Sequence, residues 1–586
     1  MNFSNTIEQA IVFICLGGIV FALTATRFKP ALIFGSVISF LYLVDMISLN
    51  NALTHFTNSA LITLILLILL VLVIEKTRLF SRFGEKLFKG SYLFALLKLG
   101  LASGLMSSMA NNTAVVASCM SAIKNQTRFA PSRLLIPLSY ASIWGGTLTL
   151  VGTSTNLVLN GLVVENGMNS LNMFDFTLIG LPIFVICLGV LLIIAPLTLP
   201  EQKIASDETK TYFLEARVQA DSPLINKSLA DNGFRNLVDL FLVEIIRSGH
   251  IIRPVSPEEI IEADDVLVFS GDIENVQTLS QFKGLTVFED DQASLNDNLV
   301  DVVISHNATI TGKAIKAINF RALFDAAVVA VRRGNQRLGG GLGKITLQPG
   351  DNLVLATGHD FQNRHNLQRN FIVLGDIKTR DHLSTFAEYA AIVGFITVIA
   401  FAAAGFLTLF KGLILMFGIL VGTGLLGINE IRRNFPFELI VVIGSALGFA
   451  QVMQSSGVAQ LIADGIIAGF DTGSGGSGVY GALIASFIIT LLLTELITNN
   501  AAAVLVFPIA LSLAQQYQAD PMPFIMAVAF GASASFLSPY GYQTNLMVYS
   551  VGKYRVSDYL KTGLPISITY AAVALIMIPL VYPFYP

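Results

Sequence analysis

The chain alternates between long apolar runs and short polar interruptions over most of its 586 residues. A helix that crosses the hydrocarbon core of a bilayer needs about 20 consecutive apolar residues. Runs of that kind predict ten membrane spans, at about 9–26, 31–49, 56–75, 134–164, 176–199, 385–408, 412–429, 437–453, 523–550 and 564–583. The pattern therefore predicts an α-helical polytopic membrane protein.

Two further apolar runs, at about 92–123 and 481–514, carry polar residues at their centres. The first contains Asn111-Asn112-Thr113, and the second contains Thr498-Asn499-Asn500. Polar residues are costly inside a membrane and tend to be functional there. Each run fits a helical hairpin that enters and leaves on one side, with the polar motif at its tip.

Each hairpin motif is followed, about 40 residues later, by a second polar interruption. The first is Gly152-Thr153-Ser154-Thr155-Asn156, and the second runs from Pro539 to Asn545. Glycine lets the backbone unwind and proline removes a helical hydrogen bond, so both segments predict broken helices. A duplicated membrane unit with polar interruptions at matching places is the best sequence pointer to the binding site of a secondary transporter.

The distribution of lysine and arginine gives the orientation, because cytoplasmic loops are enriched in them. Threading the spans in alternation puts Lys411 on one side and most other loop cations on the opposite, cytoplasmic side. The N-terminus is then outside, and the two hairpins open to opposite sides, which predicts inverted repeats. The cations on the predicted cytoplasmic side are Arg27, Lys29, Lys76, Arg78, Arg82, Lys86, Lys89, Lys124, Arg128, Arg133, Arg432, Arg433, Lys553, Arg555 and Lys561.

The segment 201–380 has a different character, with more charge and short alternating apolar stretches. This pattern predicts a cytoplasmic α/β insert. The insert is itself duplicated, at about 210–282 and 297–363. Asp264-Asp265 recurs as Gly350-Asp351, and the turn that begins at Arg247 matches a turn that begins at Arg332. We therefore predict a first membrane repeat at 1–200, the insert at 201–380 and a second, inverted membrane repeat at 381–586.

Composition excludes several classes of protein. Only 13% of the residues are charged, against about 25% in soluble domains. The three cysteines lie in apolar runs and fit neither a disulfide framework nor a metal site. The sequence has no basic tract, so we expect no nucleic-acid partner. It has no nucleophile–base or metal-binding cluster typical of an enzyme, and we expect no cofactor other than coupling ions.

The tip and break motifs resemble those of the divalent anion/sodium symporter family of the ion transporter superfamily. The closest match is Gly146 to Asn156. The resemblance covers both membrane halves and implies a sodium-coupled symporter that works by elevator-like alternating access in a homodimer. The two repeats of the insert resemble TrkA-C (RCK C-terminal) modules. Family members with such inserts resemble bacterial and algal sulfate permeases. This resemblance implies that the substrate is sulfate, ahead of C4-dicarboxylates. It also implies that the protein lies in the bacterial cytoplasmic membrane, in contact with membrane lipid.

The resemblance also implies the site residues. Those expected to bind the substrate are Asn112, Thr113, Asn156, Asn500, Ala501, Tyr542, Thr544 and Asn545. Those expected to bind sodium are Ser107, Asn111, Asn112, Gly152, Thr498, Asn500 and Gly541. TrkA-C modules further imply a cyclic dinucleotide, such as cyclic di-AMP, at a dimer interface, with no residues assigned.

The residues themselves indicate how a dianion could be bound. The core motifs contain no arginine, so the charge would be met by helix N-termini, which carry roughly half a positive charge each. Asn, Thr and Ser side chains add hydrogen-bond donors. Glu495 is either a cation or proton site or a structural hydrogen-bond acceptor. It distinguishes the symporter from a proton-linked exchanger of the same superfamily. An ion channel gated by the insert is a third alternative, disfavoured because no TVGYG-like filter is present.

Overall fold

The helices of the first half end and begin at the polar interruptions seen in the sequence. The computed structural model describes residues 5–26, 28–57, 59–75, 87–126, 128–201, 212–234, 240–247, 250–252, 255–271, 282–288, 299–305, 308–318, 320–334, 336–338, 342–357, 361, 364, 366–373, 385–470 and 477–585. The helices of the first half are α1 Asn5–Ala25, α2 Pro30–Leu43, α3 Leu49–Phe56, α4 Ser59–Glu75, α5 Tyr92–Ser107, α6 Asn112–Asn125, α7 Leu135–Gly146, α8 Ser154–Glu165 and α9 Thr177–Thr198.

Some sequence predictions fall outside the described residues. These are the predicted boundary at residue 380 and the cations Arg27, Lys76, Arg78, Arg82 and Lys86. The predicted span at 134–164 corresponds to two helices, α7 and α8, which are separated by residues 147–153. The interruption includes Gly152, as the sequence indicates.

The insert contains two five-stranded sheets. Their strand orders are β3-β2-β4-β1-β5 and β10-β6-β9-β7-β8, so the second sheet repeats the first strand for strand. All pairs are antiparallel, and the second strand of each repeat has an irregular register at the same place. The elements are β1 Tyr212–Val218, β2 Leu240–Arg247, β3 His250–Ile252, β4 Val266–Gly271, β5 Leu285–Phe288, β6 Leu299–Ile304, α10 Phe320–Phe324, β7 Ala326–Arg333, β8 Gln336–Arg337, β9 Asn352–Thr357, α11 Leu367–Asn370 and β10 Phe371–Val373. The described part of the insert is therefore mainly antiparallel β-structure with two short α-helices.

The same ion pair, between a partly exposed arginine and a buried aspartate, stabilises each repeat. Arg247 donates from its guanidinium to both carboxylate oxygens of Asp265, at 2.9 Å each. Arg333 binds Asp351 in the same way, at 2.7 and 2.8 Å. Hydrogen bonding to the carboxylate raises the pKa of each arginine above its ordinary value. Arg247 thus corresponds to Arg333, and its match with Arg332 in the sequence is wrong by one residue.

The second half repeats the helix order of the first. Its helices are α12 Thr385–Ala403, α13 Leu409–Gly422, α14 Ile428–Asn434, α15 Phe437–Ser455, α16 Val458–Phe470, α17 Ser477–Leu496, α18 Asn499–Gln516, α19 Pro521–Ser533, α20 Gln543–Val551 and α21 Val556–Val581. Residues 534–542 separate α19 from α20 within the predicted span at 523–550. The short helices α14 and α16 were not predicted from the sequence.

Six helices within the described residues are long and apolar enough to cross a membrane. Five of them are Asn5–Ala25, Thr177–Thr198, Phe437–Ser455, Gly478–Leu496 and Val556–Val581, and the sixth candidate, Leu49–Val73, takes in α3 and most of α4. Shorter apolar helices account for most of the other predicted spans. The chain is therefore an integral multi-pass membrane protein.

Corresponding helices of the two halves pack in corresponding ways. Helix α5 packs on α7, and α17 packs on α19. Helix α2 packs on α15, α4 packs on α13, and α9 and α21 pack on each other. This arrangement has approximate two-fold symmetry, and it brings the polar interruptions of both halves to the centre of the helical unit.

A buried charged pair fixes the far end of α8. His55, at the end of α3, forms an ion pair through Nδ1 with Glu165, the last residue of α8. The other ring nitrogen of His55 lies 2.9 Å from the side-chain oxygen of Gln451 in α15. Three helices are thus joined at one end of α8, while the other end of α8 begins at the polar interruption.

Candidate functional site

The starts of α6 and α20 are in direct contact, although they come from different halves. Asn112 donates from Nδ2 to the hydroxyl oxygen of Tyr542, at 2.7 Å. Thr113 donates from Oγ1 to Oε1 of Gln543, at 3.3 Å. The first hairpin tip therefore lies against the second helix break.

The starts of α8 and α18 meet in the reciprocal way. Ser154 and Thr155 both donate to Oδ1 of Asn500, at 3.2 and 3.1 Å. The side chains of Thr153 and Asn499 also lie near the Tyr542 hydroxyl. Because Tyr542 begins α20, it joins this second contact to the first, and the starts of all four helices converge on one point.

Three of the four helix starts lack a side-chain cap. The Asn111 side chain accepts a hydrogen bond from the backbone N–H of Thr113, at 3.0 Å, and so caps α6. The N-cap residues of α8, α18 and α20 are Thr153, Thr498 and Tyr542, and no side-chain cap bond is present at these three described positions. The first N–H groups of a helix have no partner within it and form its positive end. At these three starts no side chain of the N-cap residue occupies those N–H groups.

The first break is held by short-range hydrogen bonds. The backbone N–H of Gly152 donates to Oγ1 of Thr149, at 3.1 Å. Asn156 donates from Nδ2 to the carbonyl oxygen of Thr149, at 2.9 Å, and its side chain is almost wholly buried. Asn156 therefore holds the shape of the break rather than presenting its amide to an open space.

The second break repeats these bonds. The backbone N–H of Gly541 donates to Oγ of Ser538, at 3.2 Å. Asn545 donates from Nδ2 to the carbonyl oxygen of Ser538, at 3.4 Å, and to that of Ser535, at 2.9 Å. The two breaks are thus the same structure built from different residues.

The hairpin tips show which residues correspond. Ser107 donates from Oγ to Oδ1 of Asn112, and Thr494 donates from Oγ1 to Oδ1 of Asn499, at 3.1 Å. Asn499 is therefore the counterpart of Asn112, and Asn500 takes the place of Thr113. Asn499 is absent from the set predicted from the sequence.

Most of the remaining predicted residues are buried. Ala501 and Thr544 are inaccessible to solvent, and Thr498 is half-buried at the N-cap of α18. Ser139 donates to Oγ1 of Thr544, at 2.8 Å, and lies 2.7 Å from Oδ1 of Asn545. Ser139 was not predicted. Its only sequence signal is a second serine, Ser142, one helical turn further along a highly apolar helix.

Glu495 lies near the end of α17 and accepts hydrogen bonds from residues of the second break. Its Oε1 accepts from the backbone N–H groups of Phe536 and Leu537, at 2.9 Å each. Its Oε2 accepts from the Ser538 hydroxyl, also at 2.9 Å. This geometry matches the structural alternative considered for Glu495. It also brings carboxylate oxygens close to Gly541, since a Cβ atom at that position would lie 3.0 Å from Oε2.

The chain is similar in sequence to a family of transporters and to several individual proteins. The sequence profile of the citrate transporter family matches residues 11–529 and 488–585. An uncharacterized transporter of Synechocystis sp. is 30% identical over 576 residues, which are 93% of this chain and 92% of that protein. A Chlamydomonas reinhardtii protein whose name refers to the regulation of sulfur deprivation responses is 31% identical over 511 residues, 83% of this chain and 86% of its own.

A third relative carries a transport activity in its name. Sodium/sulfate cotransporter 1 of Chlamydomonas reinhardtii is 29% identical over 383 residues, which are 62% of this chain and 43% of that protein. The family match and these relatives indicate a transporter and not an enzyme. The chain belongs to the citrate transporter family of the ion transporter superfamily.

Proposed function

We propose that the protein is a sodium-coupled symporter of a divalent anion, with sulfate as the first candidate substrate. The observation that carries the proposal is the convergence of four helix N-termini on one point. At roughly half a positive charge each, four N-termini supply roughly the two charges that a dianion needs. No lysine or arginine takes part in the described contacts at this point. The relatives named as sodium/sulfate cotransporters support sulfate in particular.

The anion would be bound by backbone and neutral side chains. The open N–H groups of α8, α18 and α20 would donate to its oxygens. Thr113, Asn500 and Gln543 line the same point, and Gln543 is exposed. Reaching the anion would require these side chains to exchange their present mutual hydrogen bonds for bonds to the substrate. Such an exchange is inexpensive because one hydrogen bond replaces another.

Sodium would be held by oxygen atoms behind the anion. In the first half, Ser107, Asn112 and the unwound backbone at Gly152 offer them. In the second half, Thr494, Asn499 and the backbone at Gly541 offer the equivalent set, with the Glu495 carboxylate beside it. Unwound backbone carbonyls are the usual sodium ligands of broken transporter helices. The positive charge of sodium would lower the cost of burying the anion.

The remaining parts of the proposal concern motion and regulation. The helices α5–α9 and α17–α21 would move as one body against a dimeric scaffold of the other helices, in the bacterial cytoplasmic membrane. The insert at 201–380 would be a pair of TrkA-C-like modules in the cytoplasm that regulates this movement. A cyclic dinucleotide such as cyclic di-AMP is the candidate regulator.

Two alternative functions are compatible with the same fold: a C4-dicarboxylate symporter and a proton-linked anion exchanger.

Uptake into proteoliposomes tests the proposal. We expect radiolabelled sulfate uptake to require an inward sodium gradient and to resist competition by succinate. Asn112→Ala should reduce the initial rate by about tenfold or more, since it removes bonds to both Ser107 and Tyr542. Asn166→Ala is the matched control, because Asn166 lies at the other end of α8.

Other outcomes would select an alternative. Sodium-dependent uptake of succinate without sulfate uptake would replace the substrate and keep the mechanism. Sodium-independent uptake that is abolished by Glu495→Gln would contradict the symporter and favour the proton-linked exchanger.

A further inference from the structure

The second repeat of the insert is bound to the helix that carries the second break. The hydroxyl of Ser550, near the end of α20, donates to the carbonyl oxygen of Gly350. The same hydroxyl accepts from the backbone N–H of Gly334, at 3.4 Å. One buried side chain of α20 therefore joins two separate turns of the insert.

Both turns approach α20 so closely that a side chain on either glycine would displace a side chain of the helix. A Cβ atom at Gly350 would lie 2.7 Å from Cδ1 of Leu546, and one at Gly334 would lie 2.9 Å from the hydroxyl of Tyr549. Contacts below 3.0 Å require the neighbouring atoms to move. The Arg333–Asp351 ion pair connects the two turns, since each partner is the direct neighbour of one of these glycines.

The first repeat shows that the fold of the insert does not itself require glycine at position 350. The equivalent residue is Asp264, which adopts the same backbone conformation with φ of 64°, against 82° for Gly350. Asp264 precedes Asp265 of the Arg247–Asp265 pair, just as Gly350 precedes Asp351 of the other pair. The two repeats thus share their fold and their ion pair. The close contact with α20 is what distinguishes Gly350.

Helix α20 connects this contact to the candidate anion site over a short distance. It has nine residues, which corresponds to about 13 Å at about 1.5 Å per residue. Its first residues, Gln543 and Thr544, lie at the convergence point, and the insert contacts Leu546, Tyr549 and Ser550. A helix this short moves as a rigid body.

We propose that the second repeat of the insert positions the N-terminus of α20 in the anion site, with Gly334, Gly350 and Ser550 as positioning residues. This inference rests on the proposed anion transport and specifies the route by which the insert acts on it. A change in the shape of the second repeat displaces α20 as a whole, so its N–H groups move relative to those of α6, α8 and α18. Anion affinity is then the property that the insert controls.

Transport kinetics in proteoliposomes give the first test. Gly350→Asp introduces the residue that the first repeat carries, so the insert retains a residue compatible with its backbone while the contact with Leu546 is overpacked. We expect the KM for sulfate to rise by about tenfold and the maximal rate to change by less than about twofold. Ser550→Ala should raise the KM by a smaller factor. Asp264→Gly in the first repeat is the matched control and should leave both parameters unchanged.

A second measurement does not depend on the substrate. Gln543 is exposed at the start of α20, and all three native cysteines are buried, so Gln543→Cys gives a specific site for maleimide labelling. Gly350→Asp should change the labelling rate at this position several-fold, and Asp264→Gly should not. A changed labelling rate in a protein that does not transport sulfate would retain the positioning role and refute the proposed substrate. An unchanged KM together with an unchanged labelling rate would overturn the inference.

Discussion

Asn500→Asp is expected to abolish uptake of the divalent anion while leaving the protein folded. Asn500 is the second residue of α18 and accepts bonds from Ser154 and Thr155 at the convergence point. A carboxylate of the same size adds a negative charge where the dianion would lie. At about 5 Å and an effective dielectric constant of about 20, the repulsion amounts to several kcal/mol, so the uptake rate should fall by more than about 100-fold.

The matched control places the same substitution at another helix start. Asn50 is the second residue of α3 and is exposed. A carboxylate in the first turn of a helix is favourable to the helix in both variants. Asn50→Asp should therefore transport normally, and initial rates of sulfate uptake at saturating sodium would compare the two. Normal uptake by Asn500→Asp would contradict the placement of the anion at the four helix starts.

Gly152→Ala should have the second large effect, because the first break has no space for a methyl group. A Cβ atom at this position would lie 2.5 Å from the carbonyl oxygen of Gly146 and 3.0 Å from its carbonyl carbon. These are backbone atoms at the end of α7, which cannot rotate away as a side chain can. Overpacking of this kind costs about 1–3 kcal/mol, and uptake should fall to less than about a tenth of the wild-type rate.

Gly189→Ala is the control for a glycine within a membrane helix. Gly189 lies in α9, and a Cβ atom there would meet nothing within 4 Å. Alanine is also a better helix former than glycine, so this variant should retain its uptake and its thermal stability. If Gly152→Ala had the same thermal midpoint and uptake as Gly189→Ala, the tight first break described here would be incorrect.

The sequence contained enough information to locate both helix interruptions. Glycine, proline and clustered hydroxyl residues inside an apolar run have few explanations other than an unwound segment. Gly152 and Gly541 both lie in the interruptions that the structure shows. The same reasoning predicts that helix N-termini take the place of a buried arginine in binding the anion, and this stays a prediction. Both inferences depend on local chemistry, which a sequence displays directly.

Correspondence between the halves could not be obtained from residue letters alone. The two tips share a pair of adjacent asparagines, and the letters do not say which of Asn499 and Asn500 begins the helix as Asn112 does. The hydrogen bond from Thr494 to Asn499 decides it. The sequence likewise does not say which of Arg332 and Arg333 corresponds to Arg247, and the ion pair between Arg333 and Asp351 shows that it is Arg333. These decisions rest on contacts between atoms, which are a property of the fold.

The near-identity of the two breaks makes a difference between the helices that follow them informative. Residue for residue, the hydrogen bonds of Thr149 and Gly152 are reproduced by those of Ser538 and Gly541. The helices that follow start unequally, however, with a small hydroxyl residue at Thr153 and a phenol at Tyr542. If the substrate is held between these two helix starts, as we propose, a bulky phenol from one half and a small hydroxyl residue from the other would contact it. The substrate would then lie off the pseudo-symmetry axis, and the proposed coupling ions would occupy inequivalent environments.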